Sequence, residues 1–170
     1  MHALVDFAQS LPPAVHWLGI LALSAIPFVE SYFGSAIGVL TGMHPVVAIG
    51  LAVVGNAATM LLVVMGAAAA RRAVLARRRA GSQAGAGASA EAAGAPGSKR
   101  RARVRRMFDR WGVPGVSLLG QCFLPSQITS GMMVSFGASR NAVIGWQLVS
   151  IVAWGVVFGA LAAAGVRLIG

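Results

Sequence analysis

Two uncharged and mostly apolar stretches, residues 45–70 and 141–166, constrain this chain more than any other feature in it. Each is longer than the roughly 20 residues a helix needs to cross the hydrocarbon core of a bilayer. A chain of 170 residues has no soluble core that would call for two of them. The composition agrees, with 57% hydrophobic and 11% charged residues, against about 25% charged in soluble domains. The expectation is an all-α integral membrane protein.

The charge is as unevenly placed as the apolar residues. Net charge is +10, and 12 of the 14 Lys and Arg lie between Arg71 and Arg110. A basic block between two apolar spans is the positive-inside pattern, which predicts residence in the plasma membrane with 71–110 cytoplasmic. No aromatic or groove-reading motif accompanies the block, so nucleic acid is not the expected partner. Residues 80–98 are rich in Ala, Gly and Ser and bury too little apolar surface to offset chain entropy. The organisation predicted is a first membrane unit over 1–70, a basic disordered linker over 71–110 and a second unit over 111–170. The chain has one cysteine, Cys122, and its three histidines are scattered. No disulfide, metal or cofactor is therefore expected. The N-terminal flank lacks the basic residues of a signal peptide.

Each long stretch is preceded by a broken one. The apolar arm 14–26 would be about 20 Å long as a helix, short of the roughly 30 Å hydrocarbon core, and Pro27 interrupts it. The second half repeats the plan, with arm 112–124 broken at Pro125. A shift of 98 residues lays Ile26-Pro27 on Leu124-Pro125. The fold predicted is two inverted units, each a re-entrant helical hairpin (14–40, 112–137) followed by a transmembrane helix (45–70, 141–166). The alternative is four full transmembrane helices, the first and third kinked at their prolines. The hairpin topology places both termini outside, opposite the loop. Broken backbone cannot face lipid, so a homodimer is expected to cover it.

Glu30 is the most informative residue. The chain has four acidic residues, and the other three (Asp6, Glu91 and Asp109) lie outside the apolar blocks. An ionisable group at membrane depth is costly, which makes Glu30 a candidate proton or substrate site; the competing role is a cap on a helical arm. Asn56, with Thr59 one turn on, sits mid-span, where an amide serves either packing or substrate contact. Gln121, Gln127, Thr129 and Ser130 flank the second break, where half-helix ends leave backbone groups to satisfy. Gly155-x-x-x-Gly159 has the spacing of a helix-association motif. No catalytic triad, Cys-His pair, phosphate loop or metal cluster appears, so the chain does not read as an enzyme.

Ala25-Ile26-Pro27-Phe28-Val29-Glu30, followed by a Gly-containing apolar arm, resembles the first hairpin of the small multidrug export protein family. Arg110-Trp111-Gly112-Val113-Pro114, Phe123-Leu124-Pro125, Phe136-Gly137, Gly145-Trp146 and Trp154-Gly155 resemble the related DedA (VTT, or SNARE-associated) superfamily. The resemblance implies inverted hairpin-plus-helix units and a transport role, in some members for lipids or lipid phosphates with dependence on the proton gradient. The DedA arginines are replaced by Cys122 and Ile128, so phosphate recognition by those positions does not carry over. The function expected is a small membrane transporter, proton-coupled through Glu30, moving a small molecule or amphiphile. The alternatives are a DedA-like lipid or lipid-phosphate flippase, or a non-transporting membrane scaffold whose partners are membrane lipids.

Overall fold

The computed structural model describes residues 15–82 and 98–169, together with Val5, Asp6, Ala8, Ser10, Leu11 and Pro12. Regular structure among them is helical throughout: α1 (His16–Ser24), α2 (Glu30–Leu40), α3 (Pro45–Ser82), α4 (Ser98–Leu119), a 3₁₀ turn (Gly120–Cys122), α5 (Ser126–Phe136) and α6 (Arg140–Ile169). Pro45 opens α3, a first-turn position where its missing N–H costs nothing.

The short helices α2 and α5 have 11 residues each, or about 16 Å. Both stop by the same device. Gly42 (φ 88) and Gly137 (φ 109) adopt the left-handed conformation that a side chain makes costly. After α2, the Gly42 N–H donates to Val39 O and the Met43 N–H to Gly38 O, both at 3.0 Å. After α5, the Gly137 N–H donates to Val134 O and the Ala138 N–H to Met133 O, both at 3.1 Å. These are paired Schellman caps.

Helix directions follow from which residues meet. Ser24 lies against Gly34, and Ile20 against Gly38, so α1 and α2 are antiparallel. Residues 15–40 are thus a helical hairpin, not the single kinked rod of the four-helix alternative. Pro27 supplies no N–H at the bend, and Phe28 (φ 73) and Glu30 (φ 51) take left-handed backbone, which reverses the chain. In the second half, α4 bends at Gly112 (φ 63, ψ −161), a region open essentially to glycine. The part beyond the bend runs beside α6, through Ser150 Oγ to Ser117 O at 2.7 Å and Trp154 Nε1 to Leu118 O at 3.1 Å.

The two halves interlock. Ser31 Oγ donates to Ile151 O at 2.8 Å and Ser35 Oγ to Gly155 O at 2.9 Å. These equally spaced bonds run α2 parallel to α6. Gln127 meets Asn56 and Thr59 while Gly131 meets Val63, which runs α5 parallel to α3. Gly155 and Gly159 face Ser31 and Ser35, so the small-residue motif serves packing inside the chain. One core cluster contains Met60, Val116, Met133 and Ile151, and a second contains Ile20, Leu23 and Ile37.

Two helices are long and apolar enough to cross a membrane, Pro45–Arg77 and Arg140–Leu168. Only 28% and 22% of their most apolar windows are buried, whereas the central helix of a soluble core is mostly buried. Val54, Leu62, Val149, Val157 and Leu161 all point outward.

The disordered linker expected over 71–110 needs correction. α3 runs on to Ser82, and helix resumes at Ser98; residues 83–97 lie outside the described residues. Ala, Leu and Arg favour helix in 71–79. In 98–111 an apolar stripe supplies the docking: Val104 is buried, and Met107 and Phe108 pack on the core. The arginines of that helix lie over rings, Arg101 and Arg105 at 5.0 and 5.2 Å from Phe136 and Arg103 at 6.0 Å from Phe123.

Candidate functional site

The two chain breaks meet. Ser126, the first residue of α5, donates its backbone N–H to Oε1 of Glu30, the first residue of α2. Pro125 precedes it in extended backbone (φ −53, ψ 145), leaving the α5 terminus open toward the carboxylate. Glu30, Asn56 and Ser126 are fully buried and Gln127 nearly so. Asn56 Oδ1 accepts from Gln127 Nε2 at 2.9 Å and from Ser126 Oγ at 3.3 Å. Gln127 Nε2 also approaches Thr59 Oγ1 at 3.4 Å. Thr129 Oγ1 donates to Ser126 O at 3.1 Å and accepts from Gln147 Nε2 at 3.1 Å. A polar cluster thus runs from α2 through α3 and α5 to α6.

This cluster is under-satisfied. Glu30 Oε2, Asn56 Nδ2, Gln127 Oε1 and Gln147 Oε1 are buried without a hydrogen-bond partner. Each such atom costs about 1–3 kcal/mol if left so; three acceptors and one donor have capacity for a further bond. Among the described residues the ion pair present is Arg105–Asp109, at 3.0 Å and solvent-exposed. Glu30 is therefore met by the amide end of α5, whose partial positive charge suits a carboxylate.

Of the residues expected from the sequence, Glu30, Asn56 and Gln127 come together at the junction, and Thr129 joins through Ser126 and Gln147. Pro27 borders a groove with Gln127 and Ile128, so both prolines flank the cluster. Gln121 does not join it: it faces a separate cavity with Tyr32, Phe33 and Trp154. Sequence reasoning missed Gln147. The signal was present, a glutamine inside an apolar span, and is the one that singled out Asn56.

Compared with protein-family models, with curated proteins and with solved structures, the chain finds no match.

Proposed function

We propose that this chain is a small membrane transporter that passes a proton and a small molecule through the Glu30–Asn56–Gln127 junction. One observation carries the reading. A fully buried carboxylate joins the two chain breaks, with one oxygen held by the Ser126 amide and the other unpartnered. A carboxyl held between two helix starts in an apolar body is a group that can take up and release a proton, and substrate at the amides would feel its charge. In this reading α3 and α6 span the plasma membrane and each hairpin is re-entrant. The units are inverted, the basic segments are cytoplasmic, and a homodimer completes the path. The arrangement accords with the resemblance to small multidrug export proteins. Supporting it are the outward apolar faces of α3 and α6 and the 11-residue length of α2 and α5.

The test is transport in proteoliposomes under an imposed proton gradient, wild type against Glu30→Gln. The variant keeps the shape of the protonated acid and is expected to fold but to lose gradient-driven flux. Unchanged flux in Glu30→Gln would sink the proton-coupling idea.

A second reading, a lipid flippase of the DedA kind, has its own support. Phe28 and Phe123, at the two break tips, line a cavity of about 270 Å³ together with Arg100 and Arg103, a lining that suits an amphiphile with an acidic head. Fluorescent phospholipid flipping that disappears in Arg100→Gln/Arg103→Gln would favour it over the first reading.

A further inference from the structure

Helix α4 doubles back on itself at Gly112 (φ 63, ψ −161). Arg103, before the bend, has its guanidinium 6.0 Å from the ring of Phe123, beyond it. Val104 and Val116, likewise on either side of the bend, sit in one core cluster. Residues 98–111 therefore lie along the second hairpin, from the bend toward the tip at Phe123.

That placement sets a basic helix beside an arm that the membrane reading carries into the bilayer. The six arginines and Lys99 of the segment are all exposed, and its one acid, Asp109, pairs with Arg105. Charge at bilayer depth is costly, so the docked helix needs water along its outer face. Its hold is also slight. Of residues 99–111 Val104 alone is buried, and a cavity of about 270 Å³ remains beside Arg100, Arg103, Val104 and Met107. Arg101 and Arg105 rest on the Phe136 ring and Arg103 on the Phe123 ring, contacts worth least where water reaches the cation.

A bilayer surface offers the same residues more. Anionic headgroups attract each Lys or Arg that comes near them. Val104, Met107 and Phe108 form an apolar stripe on this basic helix, the pattern of helices that lie in an interface with the stripe at the acyl boundary. Trp111, exposed at the bend with Arg110 5.7 Å from its ring, is an interfacial anchor by type. The turn falls on a glycine, which takes left- and right-handed backbone about equally well.

We infer that helix 98–111 binds the anionic surface of a phospholipid bilayer, leaving the second hairpin by rotation about Gly112 and uncovering the cavity at the two break tips. The inference rests on the membrane placement of the chain and not on proton coupling.

The test is a distance, read by double electron–electron resonance between spin labels on the native Cys122 and on Ala102→Cys, both exposed positions. The full-length protein is compared in nanodiscs of phosphatidylcholine and in discs of equal parts phosphatidylcholine and phosphatidylglycerol. Neutral discs are expected to show the short, docked distance. Anionic discs are expected to add a longer one, raising the ratio of undocked to docked helix about tenfold or more. Arg106 is exposed, with no ring or acid partner among the described residues, so Arg106→Gln spares the docked contacts. It is expected to lower that ratio in anionic discs about fivefold. Glycerol 1-phosphate added to neutral discs offers the phosphate without a surface for the stripe, and is expected to leave the distance unchanged. Equal distances in both kinds of disc, or opening by glycerol 1-phosphate, would overturn the inference. A chain that stays outside the discs on size exclusion fails the membrane reading and this inference together. An incorporated chain whose helix does not move fails this inference alone.

Discussion

The two breaks are built to one plan and do different work. Each lies at a proline, and each leads into an 11-residue helix closed by a left-handed glycine. The first break contributes the carboxylate, on backbone turned left-handed at Phe28 and Glu30. The second is relaxed: Pro125 is extended and no non-glycine residue there has positive φ. It contributes donors, the Ser126 N–H and the Gln127 amide. Two breaks of like build thus make one asymmetric site, with the acceptor and the left-handed backbone at one and the donors at the other.

The most severe way to break that comparison is to exchange the roles. Glu30 and Ser126 are the first residues of α2 and α5. Glu30→Ser combined with Ser126→Glu keeps composition and moves the carboxyl to the relaxed break. Gradient-driven transport is expected to vanish; if flux survives, the breaks are interchangeable.

Ser126→Pro sharpens it next. Proline fits a helix's first position, and Pro125 already has the extended backbone a following proline demands. The substitution deletes the N–H that Glu30 accepts, a buried charge-assisted bond whose loss is expected to cost about 2–3 kcal/mol. A Tm in detergent equal to wild type would show that the carboxylate does not depend on the α5 terminus.

Gly112→Ala tests the bend in α4, in the second half. A Cβ at this φ and ψ is expected to cost about 1–3 kcal/mol and to loosen helix 98–111. Hydrogen exchange should rise in 98–111 and remain unchanged in α2. The smallest effect is expected from Phe28→Gly, which relieves left-handed strain but adds freedom to the unfolded chain. A net change of about 1 kcal/mol or less is expected. A large loss would mean that the Phe28 side chain, and not its backbone, shapes the first break.

The coarse plan was legible because it rests on long-range composition. Uncharged runs mark α3 and α6, prolines mark both breaks, and Glu30 and Asn56 stand out as polar residues in apolar company. Partnership was less legible. Nothing in Ser31 or Ser35 says that their hydroxyls reach carbonyls 120 residues away. Gln147 is one polar residue in an apolar span, and its meeting with Thr129 depends on how tightly the 137–139 turn closes. Phe and Glu carry no signal for left-handed backbone, so the strain at the first break had no trace in the sequence. In the basic segments the docking was hidden, because the Val104, Met107 and Phe108 stripe lies among arginines.

The bond between Glu30 and Ser126 spans 96 residues, and that distance is also an interval of time. A ribosome adding about 5–20 residues per second makes Glu30 about 5–20 s before it makes the amide that donates to its carboxylate. Throughout that interval the first half exists with its acid unanswered and its serine faces uncovered. A chaperone or insertase that shelters a lone acidic hairpin for several seconds would therefore govern how much of this protein is made correctly. Slowing translation within 83–97, ahead of every residue that completes the site, should lower its yield more than an equal pause after Ile169.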